Sequence, residues 1–279
     1  TSKLALITTE KDGVLKRRLI LDCRVGGAND AARRCGRTLL PKAWDTVAST
    51  MEIKKRATKG EVIELMVLDF ADAFYTLPLL SQEKKYFVAH VQGEFYLWER
   101  IAQGSLIGPN AFGRLSALTA RMSQSLFPAS AMQLQIYTDD PCAVLRGRPK
   151  VVRRMAVILA LCWRALWWGL SFHKGQLGPA VNLIGFAFRL DSAGIKVSIK
   201  QEFMKEFDAL VDELLRQRRA SLGEFRSFAG KANHICNVLY AWRPFISELW
   251  AAIYSPSAIS SGRAWVDQIL STLLWMRCF

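Results

Sequence analysis

Two apolar runs in this chain break off at carboxylates. Residues 62–69 form a continuous apolar segment ending on Asp69, and residues 132–137 form another that is followed, after Thr138, by Asp139 and Asp140. Runs of this length read as buried strands. The second pairs with residues 141–145, which makes a hairpin with the two aspartates in its turn. Residues 3–8 and 18–22 read as a further strand pair whose turn carries Lys11, Asp12 and Gly13, and residues 86–91 and 94–98 as a hairpin turned at Gln92-Gly93. Residues 181–189 and 195–199 are one more pair.

Helical spacing occupies the stretches between. Pro41 opens a helix over 41–58 with Trp44, Val47, Ala48 and Met51 on one face. Residues 110–126 place Phe112, Leu115, Leu118, Met122 and Leu126 on one stripe. A third helix covers 149–168 and stops at Gly169, with Trp163, Trp167 and Trp168 read as core packing against the sheet rather than as base-stacking platforms. Beyond residue 200 the pattern is helical: Phe203, Phe207, Leu210 and Leu214 recur at helical spacing. Ser221-Leu-Gly-Glu224 is a capping box opening a helix with Phe225, Phe228, Ala232 and Ile235 inward.

Strand ends carrying unpaired carboxylates are costly inside a protein. Asp69, Asp139 and Asp140 are tolerated together if a divalent cation sits between them, and oxygen ligands on a hard cation point to Mg²⁺ or Mn²⁺ rather than zinc. Two such ions about 3.5–4 Å apart clamp the attacking and leaving oxygens of a phosphoryl transfer.

Leu68-Asp69-Phe70-Ala71-Asp72-Ala73-Phe74 resembles motif A of reverse transcriptases, and Tyr137-Thr138-Asp139-Asp140 resembles their motif C. Between them, Gln103-Gly104-Ser105-Leu106-Ile107-Gly108-Pro109-Asn110-Ala111-Phe112 is similar to motif B, with Gly108-Pro109 in place of the commoner Ser-Pro. The order and spacing agree with the family over nearly the whole chain. The resemblance implies an α+β right-hand polymerase: a palm of antiparallel sheet and helices, fingers insertions and a helical thumb. Its implied boundaries are fingers 1–65, palm 66–80, fingers 81–105, palm 106–199, and thumb with the start of a connection region over 200–279.

Each site residue follows from the same resemblance. Asp69, Asp139, Asp140 and the backbone carbonyl of Phe70 would hold two Mg²⁺ ions, with Mn²⁺ as the alternative. Asp72 and Ala73 would contact the incoming nucleotide, and Phe74 takes the place of the steric gate that clashes with a ribose 2′-hydroxyl. Gln103 and Gly104 would touch the nucleotide and the template base. Lys11 and Arg18 match fingers residues that hold the triphosphate, as point charge and fork respectively. Lys174, beside His173, resembles the motif D lysine that protonates the leaving pyrophosphate, and Leu183-Ile184-Gly185-Phe186 resembles the primer grip. Lys205, Arg216, Arg218, Arg219 and Lys231 give the last third a basic side for duplex phosphates.

Composition narrows the partners. The 279 residues are 51% hydrophobic and 22% charged, with a net charge of +14 that suits a polyanionic partner over a small neutral metabolite. Expected partners are a primed RNA or DNA template and deoxynucleoside triphosphates, with RNase H, integrase or recombinase domains of a polyprotein outside this chain. Six scattered cysteines without CxxC spacing and only three histidines argue against zinc and for a reducing, intracellular compartment, cytoplasm or nucleus. The most apolar run, 155–168, is too short for a membrane span and contains Arg164. Two other readings stand beside the leading one. An RNA-dependent RNA polymerase is disfavoured by Phe74 and by the tyrosine that leads motif C. A degenerate remnant that only binds nucleic acid is disfavoured by the intact carboxylates.

Overall fold

The two apolar runs that end at carboxylates become strands of one antiparallel sheet. The computed structural model describes residues 2–11, 14–33, 36 and 38–278, and for Lys11, Val14 and Lys16 the backbone alone. Asp12 and Gly13, expected in the first turn, and Cys35 lie outside the described residues. Lys3–Lys11 (β1) and Val14–Asp22 (β2) pair antiparallel, both longer than their apolar stretches indicated. Val62–Val67 (β3) lies inside a four-stranded sheet. After the hairpin Val88–Val91 (β4) and Glu94–Leu97 (β5) come the sheet's other strands, Met132–Tyr137 (β6), Asp140–Gly147 (β7) and Gln176–Gly178 (β8), in the order β8-β3-β7-β6. Val67 pairs with Cys142 on one side and Gln176 on the other. At the β4–β5 turn Gln92 (φ 53°) and Gly93 (φ 86°) are both left-handed, the geometry that matches strand twist across a two-residue loop.

The helices correct the expected faces. Ala43–Lys54 (α1) buries Thr46, Ser49, Thr50 and Ile53, while Trp44 is 63% exposed. Gly108–Gln124 (α2) buries Phe112, Ser116, Thr119 and Ser123 and leaves Leu118 and Met122 exposed, as is Leu126 beyond its end. The cause sits on Pro149–Ala165 (α3) and just after it. Trp163 and Trp168 are buried, and a buried indole N–H needs an acceptor. Trp163 Nε1 donates to Ser123 Oγ at 2.9 Å and Trp168 Nε1 to Thr119 Oγ1 at 3.2 Å. The hydroxyl stripe of α2 therefore faces inward and the leucine–methionine stripe outward. Trp167 departs from the core expectation: it is left-handed (φ 65°) and 91% exposed.

The chain divides into two compact units, residues 1–41 with 49–181, and residues 42–48 with 182–279. In the second, the expected strand 181–189 is two strands, Ala180–Leu183 (β9) and Phe186–Leu190 (β10), because Ile184 and Gly185 turn the chain with φ of 43° and 82°. Ile195–Ile199 (β11) completes the order β9-β10-β11. Gln201–Leu215 (α4) and Leu222–Ile235 (α5) follow. Ser221 caps α5 as its sequence indicates, accepting from Glu224 N while the Glu224 side chain accepts from Ser221 N. Phe207, Phe225, Phe228, Ile235 and Trp242 form this unit's core. Among the described residues no helix is long and apolar enough to cross a membrane.

Trp163 carries both packing and a hydrogen bond in the first unit. Trp163→Ala should lower the unfolding free energy by about 3–5 kcal/mol, and Trp163→Phe by clearly less. Urea titration measures both, and a loss below about 1 kcal/mol for the alanine variant would contradict the packing described.

Candidate active site

The carboxylates owe their placement to one aromatic anchor. Phe70 is 1% exposed, stacked on Trp168 (centroids 4.4 Å apart, planes 15°) and edge-on to Trp163 at 5.6 Å. Successive residues of an extended chain point to opposite sides, so a buried Phe70 turns Asp69 outward. The Phe70 amide donates to the Asp139 carbonyl at 2.9 Å, and Leu68 N to Pro141 O at 3.2 Å, which ties the end of β3 to the β6–β7 turn. That turn has Tyr137 opposite Asp140, so Thr138 and Asp139 are its central residues and Asp140 opens β7. Thr138 is left-handed (φ 56°), a strained state for a β-branched residue.

Asp69 and Asp139 line one open cleft of about 630 Å³ together with Phe70, Asp72, Ala73, Phe74, Gln103, Gly104, Arg18 and Lys174. Asp140, which opens β7, is not among the lining residues, although the charges of Asp69 and Lys174 reach it. Lys174, in the short helical turn Phe172–Lys174, places its ammonium 2.6 Å from Asp69 Oδ2. Lys11 pairs with Val14 at the end of β1, but its side chain lies outside the described residues. Leu183, Ile184, Gly185 and Phe186 belong to the second unit, where they form the β9–β10 turn. Of the basic residues there, Lys231 is paired with Glu206 at 2.6 Å and Arg219 lies 3.5 Å above the Trp265 ring.

Close approach fixes the loop after Ala102. Gly104 is left-handed (φ 112°), and a Cβ there would lie 2.2 Å from the Leu21 carbonyl. Leu21 N donates to Gln103 O at 3.0 Å. Asn29 clamps the same loop: its Nδ2 donates to Gly104 O (3.1 Å) and its Oδ1 accepts from Leu106 N (2.8 Å). Tyr75 adds a bond from its hydroxyl to Leu19 O at 3.2 Å. The basic hairpin and the Gln103 loop are thereby held together. Phe74 rests on Phe112, centroids 5.1 Å apart, and closes the floor of the cleft while remaining half-buried. Sequence reading missed Arg17, Tyr75 and Asn29. Arg17 neighbours Arg18, and strand alternation admits only one of two neighbours to a face, yet both reach the cleft. Asn29 belongs to no motif.

Electrostatics mark the carboxylates. Burial raises Asp140 from the usual carboxylate range to about 6, helped by the charges of Asp139 and Asp69, with Lys174 opposing. Burial and the Asp69 charge raise Asp139, against Lys174 and Arg18. Among the described residues no group of three or more His, Cys, Asp or Glu is gathered closely enough to hold a metal ion as it stands. The donor chemistry itself suits a hard cation: oxygens only, mutually repelling, with negative charge that Lys174 meets only in part.

No protein-family model and no curated protein matches the chain. Solved structures do. The foamy viral protease-reverse transcriptase dRH in complex with double-stranded DNA superposes with a TM-score of 0.55 at 17% identity, over 97% of this chain and 43% of that one. The same viral protein with an RNA/DNA hybrid gives 0.55 at 16%, over 98% and 33%, and another complex with double-stranded DNA gives 0.55 at 18%, over 98% and 52%. The chain has a reverse-transcriptase-like fold. It spans between 33% and 52% of the length of those solved chains.

A raised carboxylate pKa destabilises the charged folded state. The Asp140 contribution is favourable below about pH 4 and is lost as pH rises through about 6. Asp140→Asn in chelator should therefore be more stable than wild type at pH 7–8, by about 1–2 kcal/mol after allowance for partial solvent access. That advantage should vanish near pH 4. Thermal melts across pH 4–8 read the difference, and a pH-independent difference would contradict the coupling.

Proposed function

We propose that this chain is the RNA-directed DNA polymerase region of a retrotransposon-type retroelement, extending a primer with deoxynucleotides on an RNA or DNA template. The observation that carries the reading is the shared cleft. Asp69 and Asp139 arrive there from separate strand ends, with Arg17 and Arg18 from a basic hairpin, Phe74 on the floor and Lys174 at its carboxylates. A fold shared with a protease-reverse transcriptase solved on double-stranded DNA and on an RNA/DNA hybrid supports it, as does the net charge of +14. In this reading residues 1–65 and 81–105 are fingers, 66–80 and 106–199 palm, and 200–279 thumb and the start of a connection.

The carboxylates of Asp69, Asp139 and Asp140 and the carbonyl of Phe70 would hold Mg²⁺, which when bound supplies charge neutralisation for two-metal phosphoryl transfer. Arg18, with Lys11, grips the triphosphate of the incoming nucleotide. Asp72, Ala73, Gln103 and Gly104 orient that nucleotide, and the left-handed backbone of Asp72 (φ 50°) and Gly104 shapes the surface they offer it. Phe74, braced by Phe112, would clash with a ribose 2′-hydroxyl. Lys174 brings a transferable proton into the same cleft and gives it to the leaving pyrophosphate. Leu183-Ile184-Gly185-Phe186 is the primer grip.

Primer extension on poly(rA)·oligo(dT) with Mg²⁺ tests the reading. The wild-type protein should extend the primer, and Asp139→Asn should lose about a thousand-fold or more in rate, as removal of several kcal/mol of transition-state stabilisation requires. Duplex binding without any extension would leave a nucleic-acid-binding remnant in place of an enzyme.

Phe74→Ala tests the sugar discrimination separately. It should raise ribonucleotide incorporation relative to deoxynucleotide by about ten-fold or more while deoxynucleotide use persists. Steady-state kinetics with paired ATP and dATP measure the ratio, and an unchanged ratio would move Phe74 from gate to plain core.

A further inference from the structure

The β9–β10 turn is strained, and the His234 side chain lies against it. Ile184 and Gly185 are consecutive left-handed residues. For a β-branched isoleucine that conformation costs about 1–3 kcal/mol and persists only where the surroundings over-determine it. The surroundings are His234, on the last turn of α5, and the rings around it. A Cβ on Gly185 would lie 3.0 Å from His234 Nε2 and 3.1 Å from Cε1, so the imidazole edge lies directly against the glycine backbone. The imidazole plane is stacked on Phe186, centroids 4.4 Å apart and planes within 8°. Its other neighbour is the Phe203 ring of α4, at 5.0 Å and tilted 58°. Phe186 itself is fully buried.

From this geometry we infer that His234 is a positioning residue for the primer strand: it floors the Ile184–Gly185 turn and fixes the turn's backbone in the shape that meets the primer terminus. The inference rests on the reading of this turn as a primer grip. The stack explains the residue type. A flat ring can fill the slot between Phe186 and Phe203 and still present a thin edge to Gly185, whereas a branched aliphatic side chain would press on the turn. Burial keeps the imidazole below its ordinary pKa, so it sits there as a neutral ring. A Cβ at position 185 would press on the imidazole edge in addition to the strain of its positive φ.

The experiment compares wild type, His234→Ala and His234→Phe on a fluorescent primer–template. His234→Ala should raise the dissociation constant and off-rate for a recessed 3′-end duplex by about ten-fold, with the Michaelis constant for the nucleotide within about two-fold of wild type. His234→Phe keeps the flat ring and should recover most of the loss. A folded His234→Ala protein that holds the primer–template as wild type does would overturn the inference, and so would an equal rise in the nucleotide constant. Wild-type protein that fails to bind any primed duplex would overturn the primer-grip reading and the inference together. Proton NMR on the wild-type chain gives a second measurement that needs no folded alanine variant. With three histidines in the sequence, the His234 imidazole signals are resolvable. They should move when recessed-end duplex is added and stay in place with blunt duplex of the same length. Unmoved signals in both titrations count against a primer-positioning role.

Discussion

Asp69 and Asp139 stand at strand ends close enough for the charge of one to raise the pKa of the other, and a backbone bond and a ring stack hold them there. Burial, helped by the charges of Asp139 and Asp69, displaces Asp140 to a pKa of about 6. The restraint is supplied by the backbone bond from Phe70 to Asp139 and by the tryptophan pair around the Phe70 ring. The tryptophans in turn need acceptors for their buried N–H groups, which obliges α2 to turn Ser123 and Thr119 inward. The segment that carries Asp69 is thus linked through the Phe70 ring stack to the orientation of α2. Lys174 relieves part of the repulsion at Asp69 and so couples the segment after α3 to the same charge problem.

That chain of dependence explains what the sequence disclosed and what it hid. Local chemistry was readable where it was strictly local. Gln92-Gly93 turned as its residue types require, and Ser221 with Glu224 formed the box its spacing indicates. Helix existence was readable too, but the buried face of α1 and α2 was not. Hydrophobic periodicity chose Trp44 and Leu118, whereas the structure buries threonines and serines. Periodicity counts apolar area; it does not know that an indole on another helix will ask for a hydroxyl. The split at Ile184-Gly185 was hidden for a similar reason, since isoleucine carries no turn signal and only tertiary contact makes it left-handed.

The candidate site shows the same division. Asp69 and Asp139 were legible as strand-end carboxylates and do share a cleft. Asn29 was illegible because its role is a backbone one. Its amide mimics a peptide group, donating to Gly104 O and accepting from Leu106 N, and any loop in the chain could have supplied such a group. Gly104 was noticed through its place beside Gln103, yet the physical reason for a glycine there lies elsewhere in the fold, in the Leu21 carbonyl that leaves no volume for a Cβ. Distance in sequence, rather than weakness of interaction, is what concealed these contacts.

Backbone strain gives the last link. Among the described residues the non-glycine positions with positive φ are Asp72, Gln92, Thr138, Trp167 and Ile184. Gln92 belongs to a hairpin turn that calls for such an angle. Asp72, Thr138 and Ile184 stand in three of the segments singled out from sequence for chemistry. Asp72 initiates the short helical turn whose Tyr75 amide returns to its carbonyl at 2.8 Å. Thr138 sits beside the Phe70–Asp139 tie, and Ile184 beside the Gly185–His234 contact. Backbone angles of this kind cost stability and concentrate at functional segments. Strain and charge meet in two of these segments, at Asp72 three residues after Asp69 and at Thr138 just before Asp139.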